Sequence, residues 1–228
     1  YAEYAADPAN MEAFLKHRAV NDLKQIRPIV LIDEIPWNEM NHDGSLTLRC
    51  EEPLFRSYEQ MIRRQIYRWK NLRGDMALQP YIDVRKKIHS TGIGVEIQGE
   101  IRMTDMDNAV VSHKYDSQFE TEEDLHKLHS PVITYDQEQT LKEYEMIAEM
   151  IGDLIPVKIV GEDTGYGLGC KSWDIIASCM SIDNLLYNLI DKPDFMHSMA
   201  EKLADIFIDT ITQYEKLNLL NGDALYVH

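Results

Sequence analysis

Cysteine is scarce in this chain. Cys50, Cys170 and Cys179 are odd in number and form no C-x-x-C pair, which argues against a disulfide framework or a zinc ribbon. Cations are also short: 23 Lys and Arg stand against 39 Asp and Glu, for a formal net charge of −16. A surface of that sign repels phosphate backbones, so nucleic acid is not the expected partner. No apolar stretch of about 18 residues is present to span a membrane, and no signal peptide opens the sequence. The expected setting is the cytoplasm. Internal repeats and low-complexity tracts are absent, and so is the P-loop pattern. Gly165-Tyr-Gly-Leu-Gly lacks the spacing of a dinucleotide-binding loop.

What is present is a recurring pattern. Four short apolar runs each end close to an ionisable side chain. Residues 28–32 (PIVLI) lead into Asp33 and Glu34, and residues 79–82 (QPYI) lead into Asp83. Residues 157–160 (VKIV) reach Glu162 and Asp163 after one glycine, and residues 224–227 (ALYV) stop at His228. Continuous apolar runs of this length read as strands buried on both faces, as in parallel sheets. An ionisable group at the carboxyl end of such a strand lies where α/β enzymes place their chemistry.

Between these runs the pattern alternates. A helix is predicted over 7–26, with Asp7 as cap and Pro8 in the first turn. A second runs from Pro53 to about Arg73, with Leu54, Tyr58, Met61, Ile62, Trp69 and Leu72 on one face. Residues 86–119 depart from the alternation: Ile93, Val95, Ile97, Ile101 and Met103 recur with a period of two, which predicts a hairpin returning near 109–114. Further helices are predicted at Thr121, over 136–151, 172–180 and 181–190, and in a long segment after Pro193 with Asp191 as its cap. That last helix carries a stripe of Phe195, Met199, Leu203, Ile206, Tyr214 and Leu217. With 228 residues and 44% hydrophobic content, the chain suffices for one large domain. The fold class is α/β: about four βα units of a (β/α)8 barrel, spanning 1–228. Half a barrel leaves open strand edges, so the chain is expected to be the N-terminal part of something longer, or to be completed by a second chain.

The candidate catalytic residues are Asp83, Asp33, Glu34 and His228. Two carboxylates on neighbouring strand ends can divide acid and base roles, if burial raises one pKa. The same groups can instead cap helices or pair with Arg85, Lys86 or Lys87. Trp37, Glu162, Asp163 and Tyr166 are the candidate substrate-binding residues. Trp37 either floors a ligand site or packs on its own helix, and the glycines around Tyr166 either admit a ligand or make a turn.

Residues 181–208 (SIDNLLYNLIDKPDFMHSMAEKLADIFI) resemble a segment of the uroporphyrinogen decarboxylase superfamily, in which a short helix passes through an Asp-x-Pro turn into a long one. An early strand opening with Pro28-Ile-Val, a second ending Tyr81-Ile82-Asp83 and a third before a glycine loop follow the same order. The resemblance implies a (β/α)8 barrel. One branch of the superfamily decarboxylates porphyrinogens, using arginines after the first strand and an Asp on the second. Here Asp33 and Glu34 stand in place of those arginines, while Asp83 keeps the Asp. The other branch comprises cobalamin-dependent methyltransferases, which use zinc to activate a thiol and work with a corrinoid protein. The zinc motif belongs to a later strand, so zinc is a possible cofactor with ligands mostly beyond this chain. The leading expectation is corrinoid-linked methyl transfer. The alternatives are a carboxy-lyase and a non-catalytic acidic docking module.

Overall fold

The computed structural model describes residues 1–102, 112–163, 168 and 171–222, and its architecture is mixed α/β. In chain order the elements are α1 (Ala2–Ala5), α2 (Ala9–Asn21), α3 (Pro53–Asn71), β1 (Ile82–Arg85), β2 (Lys87–Ser90), β3 (Gly99–Arg102), β4 (Ser112–Tyr115), β5 (Ile133–Asp136), α4 (Gln137–Ile151), β6 (Val157–Val160), α5 (Ser172–Met180), α6 (Ile182–Asp191) and α7 (Pro193–Lys216). Short 3-10 turns occupy Trp37–Glu39 and Glu122–Lys127. Two compact units divide the chain, one holding 1–85 and 138–160, the other 86–137 and 161–222.

In the first unit α3 begins where Pro53 occupies its first turn and the Glu52 carboxylate accepts from the Phe55 amide at 2.9 Å. Pro lacks the N–H that would go unsatisfied there, and the acidic cap complements the helix dipole. The predicted apolar face divides between two clusters. Leu54, Tyr58, Met61 and Ile62 pack with Ile82, Val84 and Ile147. Trp69, two turns or more further on, joins Ala5, Met76 and Leu78. Strands β1 and β6 pair in parallel, Ile82 opposite Val157 and Asp83 opposite Lys158. Ile82 and Val84 are essentially inaccessible. Burial of such a side chain contributes about 1.5–3 kcal/mol, so these two hold β1 to α3 and α4.

The first apolar run corrects the sequence reading. Residues 28–33 form no strand. Their backbone is held by Asp75 and Arg68 instead: the Asp75 carboxylate accepts from the Val30 amide at 2.9 Å, the Asp75 backbone amide donates to the Val30 carbonyl at 2.8 Å, and the Arg68 side chain donates to the Ile32 carbonyl at 2.8 Å. Val30 and Leu31 remain exposed. Glu34 then turns the chain out of extension with a φ of 49°. The run has strand composition, but Asp75 and Arg68 bond the backbone of Val30 and Ile32, and no sheet does so.

In the second unit β2 pairs antiparallel with β5, and β3 antiparallel with β4. The 112–115 strand is the predicted hairpin return; the partnership of β2 with β5 was not foreseen. Helices α5 and α7 bury Ile176, Cys179, Met180, Phe195, Met196, Met199, Leu203 and Ile206 in one core with Phe119 and Leu128. The stripe on α7 therefore follows the 3.6-residue period, except that Leu217 is exposed. Asp191 belongs to α6, and Lys192 takes the cap position before Pro193. Thr121 and Asp124 form a reciprocal capping box. Gly161 meets the chain at 219–220 so closely that a Cβ there would lie 2.1 Å from the Leu219 carbonyl oxygen. Only glycine permits that approach. Beside it Glu162 and Leu220 form a parallel bridge.

The described strands do not close a barrel. Parallel pairing among the described residues occurs between β1 and β6 and at the Glu162–Leu220 bridge.

Candidate functional site

Strand β1 alternates in burial. Ile82 and Val84 turn to the helices, so Asp83 and Arg85 stand on the opposite face. In a parallel pair, residues in register share a face, and Lys158 is the partner of Asp83 at about 4.8 Å between strands. The Lys158 ammonium lies 4.2 Å from the centroid of the Tyr81 ring. Arg85 Nε is 3.8 Å from Asp83 Oδ2, and the Asp83 side chain is 40% exposed. One face of the pair is thus covered by apolar side chains, and the other carries the Asp83–Arg85 ion pair and Lys158. Asp83 is the second of four strand residues rather than the last.

Behind Asp83 lies a buried polar contact. Tyr58 Oη donates to Glu143 Oε1 at 3.1 Å and lies 3.3 Å from the Asp83 carbonyl oxygen. Burial, reinforced by Glu143, pushes the Tyr58 hydroxyl well above its ordinary range. It therefore remains a donor, joining α3, α4 and β1 at the level of Asp83. The sequence reading placed Tyr58 only in a core stripe and did not single out Glu143.

The other candidates lie elsewhere. Asp33 is 81% exposed and 4.0 Å from Arg68. Arg68 is ten residues along α3 from Tyr58, roughly 15 Å of helix. The expected sharing of a proton between neighbouring strand ends has no basis here, because 28–33 is not a strand. Glu34 is exposed in the following turn. Trp37 stands edge-on to Tyr67, 6.0 Å between ring centroids, with the Arg64 guanidinium 5.0 Å from its ring. It therefore packs on α3.

In the second unit the Glu162 backbone is in the parallel bridge, with its amide donating to Leu219 and its carbonyl accepting from Asn221. The Asn221 side-chain amide donates to Asp163 Oδ1 at 2.8 Å. Tyr214 is raised by burial and then by Glu162, so Glu162 acts on the core end of α7. Tyr166 and His228 lie outside the described residues.

Among the described residues no three His, Cys, Asp or Glu side chains converge where they could hold a metal ion. Burial raises the thiols of both Cys50 and Cys179, so neither offers a ready thiolate. These residues do not fit a zinc site.

Signals for Arg85 and Lys158 were present in the sequence. A lysine in the middle of an otherwise apolar run already marks a strand with one polar face, and Arg85 lies two residues from Asp83. No family model, curated protein or solved structure matches this chain.

Proposed function

We propose that the chain is part of a uroporphyrinogen decarboxylase-like (β/α)8 barrel enzyme that carries out corrinoid-linked methyl transfer, with the Asp83 face lining its substrate pocket. The observation that carries this reading is the division of the β1–β6 pair: helices cover one face, and charged groups occupy the other. In such a barrel the outer face of each strand meets helices, and the pocket lies at the carboxyl ends of the strands, the end at which Arg85 closes β1. The parallel Glu162–Leu220 bridge supports it, since the chain following β6 again pairs in parallel with a later segment. So does the passage from α6 through Pro193 into the 24-residue α7, the arrangement on which the resemblance rests. Asp83 orients a polar group of the substrate, while Tyr58 and Glu143 fix the strand that carries it.

A second reading, a carboxy-lyase, is favoured by one observation: the strand face of Asp83 also carries Arg85 and its register partner Lys158, and cations on that face suit a carboxylated substrate. Metal analysis and two assays on the full-length protein separate them. One zinc per chain with methyl transfer from methylcobalamin to a thiol supports the first reading. No zinc with CO2 release from a carboxylated substrate supports the second, and neither activity in metal-replete protein contradicts both.

A further inference from the structure

The last turns of α3 and the loop at 43–45 enclose an open cleft of about 300 Å³, lined by Asp43, Ser45, Arg63, Ile66, Tyr67, Lys70 and Asn71. That volume is at the lower end for small-molecule sites. Ile66 and Tyr67 are the apolar members of its lining. Residues 63, 66, 67 and 70 share one helix face, as spacings of three and four require.

The ends of the cleft differ in charge. Arg63 donates to the Ser45 carbonyl at 2.7 Å and pairs with Glu59 at 2.8 Å, so its charge is already matched. Beside it the Asp43 carboxylate accepts from the Ser45 amide at 2.9 Å. Hydrogen bonds from Ser45 hold Asp43 below the usual carboxylate range, and it stays ionised. Two helical turns away, roughly 10 Å, Lys70 has no carboxylate partner among the described residues; its ammonium lies 5.4 Å from the centre of the Tyr4 ring. The cleft is also fixed in advance. Asn41 binds Thr47 and the Leu46 amide at 3.0 and 2.9 Å, and Arg63 ties the loop to the helix. Such preorganisation lowers the entropic cost of binding.

We propose that this cleft binds a small zwitterion, with its carboxylate at Lys70, its ammonium at Asp43 and its apolar body on Ile66 and Tyr67. A ligand with a charge at one end only leaves the other end unused, and a dianion meets Asp43.

Amide chemical shifts of the full chain, titrated with 4-(aminomethyl)benzoate, benzoate and benzylamine, test this. Saturable shifts should centre on Ser45, Tyr67 and Lys70. The zwitterion should bind about fivefold more tightly than either analogue, the scale of exposed charge contacts. Lys70→Met should reduce its affinity to that of benzylamine, and Asp43→Asn to that of benzoate. The carboxamide introduced by Asp43→Asn can still accept from the Ser45 amide, so the loop is kept. Equal affinities for the three probes, insensitivity to both variants, or shifts confined to other residues would overturn the proposal.

Discussion

Tyr58 on α3 donates its hydroxyl hydrogen to Glu143 on α4 across 3.1 Å, and both side chains are buried. The contact lies directly behind Asp83, whose carbonyl oxygen is 3.3 Å from the same hydroxyl. Tyr58→Phe should destabilise the fold by about 1–3 kcal/mol, because a buried acceptor loses its donor. Glu143→Gln keeps a group able to bond Tyr58 and should cost less. The ordinary tyrosine pKa is about 10, and Tyr58 is raised in the folded state. Its contribution is therefore complete below about pH 10 and is lost as pH rises towards the folded value. Urea denaturation of both variants at neutral and high pH checks the order.

Asp75 holds the extended segment at 28–33. Its side chain is only 4% exposed, and it takes hydrogen bonds from Arg27 and from the Val30 amide. The Arg27 hydrogen bond and then the Val30 amide hold its pKa well below the usual carboxylate range. A depressed folded pKa means that this stability is present above about pH 4 and is lost as pH falls further. Asp75→Ala should cost about 2–3 kcal/mol and speed hydrogen exchange at 29–33. Arg27 is 57% exposed and regains water when unpaired, so Arg27→Ala should cost less. Equal losses from the two variants would contradict this account.

Glu59 accepts from the amides of Arg49 and Cys50, both at 2.8 Å, and from Arg63. These donors, the Cys50 amide first, lower its pKa to about 2. Its hold on the loop is thus complete above the unfolded carboxylate range and is lost as pH falls to about 2. Burial raises the Cys50 thiol, and the Glu59 charge raises it further. Glu59→Gln should therefore loosen residues 45–50, lower the thiol pKa and speed alkylation of Cys50 by iodoacetamide at neutral pH. An unchanged rate would show that Glu59 does not govern this loop.

Gly161→Ala should destabilise the second unit by more than about 2 kcal/mol, because the added methyl would collide with backbone that cannot move aside cheaply. The neighbouring Glu162–Leu220 bridge should open with it. Thermal unfolding, with exchange measured at the Glu162 and Asn221 amides, reads both effects.

Much of the helical structure was legible because amphipathic stripes and caps are local. The α3 face around Tyr58 and the α7 face around Met199 follow from period and composition alone. The parallel pair of 82–85 and 157–160 was legible from apolar runs of strand length. Residues 28–33 share that composition, yet their fate depends on Asp75 and Arg68, which lie more than thirty residues away. No local pattern reports that. The same distinction applies at the site. Asp83 was visible beside its strand, whereas the Tyr58–Glu143 contact joins residues 85 positions apart and arises only from packing. The contacts of Trp37 with Tyr67 and Arg64 join segments about thirty residues apart and likewise arise only from packing.

The central claim is that the Asp83 face lines the pocket of a methyl-transferring barrel. Methyl transfer from methylcobalamin to a thiol by the full-length protein, compared between wild type and Asp83→Asn, tests it most directly. The account predicts transfer by the wild type and a loss of roughly a hundredfold or more in Asp83→Asn, the scale of losing a substrate-orienting group. The unfolding midpoint should stay the same, because the Asp83 side chain is 40% exposed on the face away from the core. Transfer by Asp83→Asn at the wild-type rate would contradict it.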